Sequence, residues 1–497
     1  TPTTTVASGV WSLDSQFESQ SGSTWPLAFP QTTIANSCRF DDGSSDFLSR
    51  TPSGAGNRRT FTISCWVKRG QTTTNSFLFS AWTADNDAGH FSFGFESAER
   101  LTVDTYSTNL LTTTRTFTDP SAWYHVVCAV DTTSGTADNR VRLYVNGVEQ
   151  SNYSTRNNPS QNADLQANNS VIQVVGANYY NSQANVTHDG YIAEFYMIDG
   201  QQLTPTSFGA TNPVTNIWEP IAYTGTYGTN GFKLNFTDSS NLGDDTSGNG
   251  NDFTVNNLTS IDQSTDTCSN NFATLNPLNI PTSNKPTFSD GNLTSITNSS
   301  TGSYKWGGCS TIGVTKGKWY CEAKATVDST YSRNVIGITG NATELARTNA
   351  SILNATYSWG YYSSNGTVQG NGSGDISGYS TSYTTGDIVG VAMDLDNNKL
   401  YFSKNGTFLN SGDPTSGSTG TGAISIVAAS TTTDGAYFFA QTDDTGTSSP
   451  SKFEFNFGSP PYSISSGNAD ANGFGNFEYA VPSGYFALNT KNLAEYG

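Results

Sequence analysis

One phrase occurs twice in this chain and constrains the fold more than any other feature. Residues 122–147 read AWYHVVCAVDTTSGTADNRVRLYVNG, and residues 386–406 read GDIVGVAMDLDNNKLYFSKNG. Each holds an alternating apolar strand, an Asp at its end, a polar turn, a second strand with Leu-Tyr, and an Asn-Gly pair. In the second copy Val389, Val391, Met393 and Leu395 share one side, and Gly390, Ala392, Asp394 and Asp396 the other. A period of two predicts a sheet with one buried face. Asn-Gly supplies the positive φ angles of a tight hairpin turn. Two such phrases far apart predict an all-β chain of two antiparallel β-sandwiches in tandem.

Composition agrees. The 497 residues are 34% hydrophobic and 12% aromatic. Large rings fill thin sandwich cores without many aliphatic residues. The abundance of Thr, Ser, Asn and Gly favours strands and turns over helices. No apolar run is long enough to span a membrane, so no membrane insertion is expected. The formal net charge of −18 excludes the basic face that nucleic-acid binding needs. The chain starts at Thr1 rather than Met, which points to a removed leader or a processed product. Asn-X-Ser/Thr triplets occur at Asn152, Asn185, Asn292, Asn341 and Asn405, in a composition that produces many by chance.

Four segments are expected. Residues 1–30 form an extended lead-in, and residues 31–212 a first sandwich of many short strands. Residues 213–286 form a Gly/Asn/Asp-rich connector packed on that sandwich. Residues 287–490 form the second sandwich with a short C-terminal tail, and KFEFNFG (452–458) is its cleanest alternation. Cys309 and Cys321 sit symmetrically about Thr315, so a hairpin there would place them opposite one another as a disulfide; buried free thiols are the alternative. No pair of the six cysteines has zinc-knuckle spacing.

The phrases NSCRFDDGSSDFLSR (36–50), TFTISCWVKRG (60–70), AWYHVVCAVD and VRLYVNG resemble the laminin-G-like, concanavalin A-like jelly roll. GKWYCEAKA, NVIGITG, YSWGYYSSNG and the phrase at 386–406 resemble a SPRY domain, which implies a protein-binding sandwich. The ordered set, with WEPIAYTGTYGTNGF and DDTSGNGNDFTVNN between the two, is similar to virion proteins of bacteriophages of aquatic bacteria. That resemblance implies a tail-fibre or virion-surface component, exposed or extracellular. It would be homo-oligomeric, attached to other virion proteins and directed at a host-surface glycan or protein.

Laminin-G-like sandwiches often carry Ca²⁺ on loop oxygens, so two loops are candidates. One holds Asp41, Asp42 and Asp46; the other holds Asp244, Asp245, Asn249, Asn251 and Asp252. The alternative for the second is an Asx-rich turn satisfied by its own backbone. Rings near amides suit sugars, which makes Tyr179, Tyr180, Trp359, Tyr361 and Tyr362 the candidate ligand-binding residues. Each is weighed against an ordinary edge or core ring.

Catalysis is not expected. His90, His125 and His188 mark no triad, and no GxSxG elbow is present. Glycoside hydrolysis needs two carboxyl groups about 5–10 Å apart. Glu194 and Asp199 fall on opposite faces of one strand, and Glu96, Glu99 and Asp104 are scattered. The sequence reads as a non-enzymatic adhesion protein of a virion surface. A self-assembling filament or coat subunit and a glycan depolymerase are the alternatives.

Overall fold

The computed structural model describes residues 31–297, 305–327, 334–444 and 450–497. The lead-in expected over residues 1–30 lies outside them. The first sandwich is built from two eight-stranded sheets. One centres on Trp123–Asp131, Thr60–Arg69 and Gly190–Asp199; the other runs through Asn109–Thr116, Arg100–Asp104, His90–Phe95 and Ser76–Trp82. Segment 213–286 adds strands to both. Phe232–Leu234 pairs with Gly190–Asp199, and Thr254–Asn256 with Phe47–Arg50. Phe232, Leu234, Phe236 and Phe253 enter the same core as Phe61, Phe79 and Phe93.

The second sandwich packs a nine-stranded sheet on a six-stranded one. Lys318–Val327 and Ile388–Asp394 lie in the first of these; Asn334–Thr339 and Phe438–Asp443 lie in the second. Phe453, Phe455 and Phe457 fill the space between them, as their alternation implies.

Both repeated phrases form the expected hairpins, through Val126↔Val145 and Val389↔Lys404. The Asn-Gly residues have positive φ: 47° and 80° at Asn146–Gly147, 48° and 79° at Asn405–Gly406. The Asn does a second job in each copy. Asn146 donates its backbone N–H to His125 O and accepts His125 N on its side-chain Oδ1, both at 2.8 Å. Asn405 does the same to Ile388, at 2.8 and 2.9 Å. The side-chain amide imitates a backbone carbonyl and lengthens the ladder by one acceptor.

The expectation of one buried face is corrected. Val127 and Ala129 pack outside the first sandwich against Tyr144, Tyr196 and Phe208. Ala392 lies with Tyr320 and Tyr401 under Phe477, Tyr485 and Ala487. The tail is therefore a strap across the outer face of the nine-stranded sheet. Phe486–Ala487 adds to that sheet in parallel, beside Trp319 and Tyr320. Fully buried Glu322 anchors the strap, accepting Glu478 N at 2.9 Å and Tyr479 N at 2.8 Å.

Lys68 joins the first sandwich to the chain that leads into the second. Its Nζ donates to Asp266 Oδ2 at 2.7 Å, Asn271 Oδ1 at 2.8 Å and Phe272 O at 3.0 Å. Asp266 Oδ1 accepts Trp123 Nε1 and Phe272 N. Arg39 Nη1 donates to Pro460 O, Asn292 Nδ2 to Gly70 O, and Tyr191 Oη to Gly291 O. The two sandwiches thus meet through buried hydrogen bonds as well as through sequence.

The Cys309–Cys321 disulfide is also corrected. Lys305–Cys309 pairs with Phe438–Asp443 in the six-stranded sheet, whereas Cys321 lies mid-strand in the opposite one. The two residues do not face across a hairpin, and all six cysteines are free thiols.

Two outcomes follow. Lys68→Met leaves Asp266 as an uncompensated buried charge and should lower stability by about 3–5 kcal/mol in urea unfolding followed by Trp fluorescence. Alkylation of the unreduced, unfolded chain should label all six cysteines; four labels would restore a bridge.

Candidate functional site

The site lies on the outer face of the second sheet of the first sandwich. Phe91, Phe93 and Phe95 point into the core, as do Leu101 and Val103 on the next strand. Alternation turns His90 and Ser92, and Thr102 and Asp104, to the opposite face. Ser92 and Asp104 are direct cross-strand partners and form the floor.

Two excursions raise walls on this floor. The hairpin of Ala177–Tyr180 and Gln183–Thr187 folds over it. Ser80 holds that hairpin, donating Oγ to Ala177 O at 2.8 Å and accepting Tyr179 N at 2.9 Å. Asn178 Oδ1 accepts from His90 Nε2 at 2.8 Å, which places the imidazole proton on Nε2. The opposite wall is the turn after Asp104. Asp87 fastens it by accepting from Ser107 N, Ser107 Oγ, Thr105 Oγ1 and Thr108 Oγ1. These donors, the Ser107 backbone first, hold the Asp87 carboxyl down to about 2.

The fastened turn presents Tyr106, which is 45% exposed. Its ring stands edge-on to His90 at 6.2 Å and to Tyr180 at 6.4 Å. Between these walls lies a cavity of about 420 Å³, also lined by Asn75, Phe77, Asn109 and Val186. Its size falls within the small-ligand range.

The polar groups of the floor are not used up by the fold. Ser92 is fully buried, and its Oγ has no hydrogen-bond partner. Burial pushes Asp104 up to about 7 against the Thr102 hydroxyl that hydrogen-bonds it at 2.6 Å. Burial also lowers His90 from the ordinary imidazole range. Asp104 is the one carboxylate in the cavity lining among the described residues. Rings, amides, a hydroxyl and one acid together suit a polyhydroxylated ligand, with rings on its apolar faces and amides on its hydroxyls.

Of the five candidate rings, Tyr180 is at this site. Tyr179 is on the same hairpin, but its ring lies 5.6 Å from Trp82 and its hydroxyl donates to Ser182 O. Trp359, Tyr361 and Tyr362 are corrected to core rings. Their strand, Ser358–Tyr362, is buried throughout. Trp359 and Tyr361 face the second core beside Tyr437 and Tyr383, while Tyr362 packs with Trp306 and Leu345 on the other side. Tyr106, His90, Ser92 and Asn178 were not among the candidates. They come from separate strands and turns, and a YST turn is the one local hint of the exposed ring.

The calcium loops resolve differently. Asp245 accepts Lys233 N and Ser247 N on Oδ1, and Ser247 Oγ and Asn251 N on Oδ2, at 2.8–2.9 Å. Asp252 accepts Asp245 N. Asn249 and Asn251 donate their amides to Gly231 O, each at 2.8 Å. The Asp244–Asp252 loop thus holds itself together through its own side chains and backbone, the Asx-rich turn weighed above as the alternative. In the other loop Asp46 Oδ2 accepts Asp41 N, and Asp41 O accepts Ser44 Oγ, with Asp42 between them. Burial pushes Asp46 up to about 6. Among the described residues no three His, Cys, Asp or Glu side chains are grouped to hold a metal.

The remaining titratable candidates hold structure. Glu194 pairs with Lys233 at 3.0 Å and accepts from Tyr196. Asp199 accepts Asn57 N and Asn230 N. His125 is stacked between Trp66 and Trp218, and His188 bonds Ser76 Oγ.

Asp245→Ala removes the acceptor of four donors and should destabilise the chain by about 2–3 kcal/mol in denaturant unfolding. Thermal unfolding with and without a chelator tests the calcium reading of the two loops: a fall in the midpoint marks a bound metal, and an unchanged midpoint marks turns held by their own hydrogen bonds.

Comparison with known proteins assigns both sandwiches. Residues 42–207 match the laminin-G model of the concanavalin A-like lectin/glucanases superfamily, and residues 296–424 match the SPRY domain. No curated protein matches the chain. Among solved structures, the SPRY domain of human HERC1 is similar at 16% identity and TM-score 0.25, covering 33% of this chain and 87% of that one. A heptameric SAP-like pentraxin from Limulus polyphemus is similar at 17% and 0.27, covering 35% and 80%. Domain 4 of the extracellular GH43 arabinanase AbnA from Geobacillus stearothermophilus, solved with arabinotriose, is similar at 20% and 0.23, covering 32% and 67%. The chain carries a concanavalin A-like jelly roll and a SPRY domain in tandem.

Proposed function

We propose that this chain is a non-enzymatic adhesion protein of a bacteriophage virion surface or tail fibre, which holds a host-cell glycan in the cavity of its jelly roll. The observation that carries the binding reading is the pair of tyrosines over the Ser92–Asp104 floor, where a buried hydroxyl has no protein partner. Tyr106 is held out by four donor groups of its turn that bond Asp87, so its ring is placed before ligand arrives. The single carboxylate in the lining favours holding a sugar over cleaving it, since glycoside hydrolysis works with a pair. The virion assignment rests on the ordered phrases of the sequence. Weak single sites would sum through repetition in a homo-oligomer attached to other virion proteins.

Titration calorimetry and a glycan array with the full chain test this reading. Tyr106→Ala and Tyr180→Ala should each weaken glycan binding about tenfold, equivalent to about 1.4 kcal/mol of lost stacking, while the thermal midpoint stays put. Release of reducing ends from host polysaccharide would favour the depolymerase instead. Polymerisation without glycan binding would favour the filament subunit.

A further inference from the structure

We infer that the jelly-roll cavity selects uncharged sugars and rejects uronic and other acidic ones. This rests on the glycan reading above and adds the ligand class. Among the described residues, the lining contains no lysine or arginine, and its one charged group is Asp104 on the floor. The nearest guanidinium in sequence, Arg100, is engaged in an ion pair with Glu96. A carboxylate on the ligand would therefore enter a partly desolvated space beside one acid, with no counter-ion to meet it. Removing a charge from water without a partner is costly.

The remaining polar groups have the opposite character. Asn178 gives its Oδ1 to His90, leaving Nδ2 as a donor, and Asn109 gives its Nδ2 to Thr112, leaving Oδ1 as an acceptor. Ser92 Oγ both donates and accepts. Such a mixed set meets hydroxyl groups, which also do both. Asp104, held up to about 7 by burial, serves a hydroxyl in either protonation state, but in its charged form it repels an anion. The net charge of −18 adds a long-range field of the same sign.

The test uses disaccharide pairs that differ only in oxidation at C6: glucose- against glucuronic-acid-terminated, and galactose- against galacturonic-acid-terminated. Binding of the full chain is measured by calorimetry at pH 7.5. The neutral member of a bound pair should bind at least tenfold tighter than its acidic twin. Asp104→Asn should narrow that ratio at least threefold. Raising the salt on the unmodified chain should narrow it too, because screening weakens the repulsion. The salt arm needs no variant to fold. Acidic sugars binding as tightly as neutral ones, with both still dependent on Tyr106, would overturn the selectivity and leave the glycan reading standing. A ratio insensitive to both salt and Asp104→Asn would also overturn it. Binding of neither class, or binding indifferent to Tyr106→Ala, would overturn the glycan reading itself.

Discussion

The contact on which the arrangement of the two sandwiches depends is the ion pair between Lys68 and Asp266, each 1% exposed. A buried pair often fails to repay the water it gives up. This one is embedded so that every donor of Lys68 has an acceptor, and Asp266 receives an indole and a backbone N–H besides. The result is geometric. Phe272, gripped by Lys68 and Asp266, belongs to the cluster under the C-terminal strap, and Ala273 N donates to Leu488 O. One charge on the first sandwich thereby sets where the outer layer of the second begins.

The cavity is built from parts that the first sandwich already holds in place. Its floor is sheet, its far wall a hairpin held by Ser80, and its near wall a turn held by Asp87. A ligand arriving there orders little that is not already ordered, which keeps the entropic cost of binding small.

Much of the scaffold is legible in the sequence because period-two alternation and Asn-Gly turns are local signals. The repeated hairpins and the Phe453–Phe457 face follow from them directly. Burial on two sides is not legible in this way. Trp359, Tyr361 and Tyr362 share a strand with core on one side and the helix Ala342–Thr348 packed on the other, so aromatic density there signals interior, not platform. The cavity is illegible for another reason: Ser92 and Asp104 acquire meaning from cross-strand register, and Tyr106 from a clamp by Asp87. Tyr180 was within reach because its neighbours are polar. The Asp245 turn shows the converse, where ligand-like composition serves the backbone.

The strap has a consequence for how the chain is made. Residues 474–487 lie C-terminal to every strand whose outer face they cover. As synthesis proceeds from the N-terminus, Tyr320, Ala392 and Tyr401 form a sheet face that stays uncovered until the strap emerges. An apolar face left open during folding invites association with other chains. Assembly of the outer layer is thus timed by position along the chain, because the cover is made after every strand it covers.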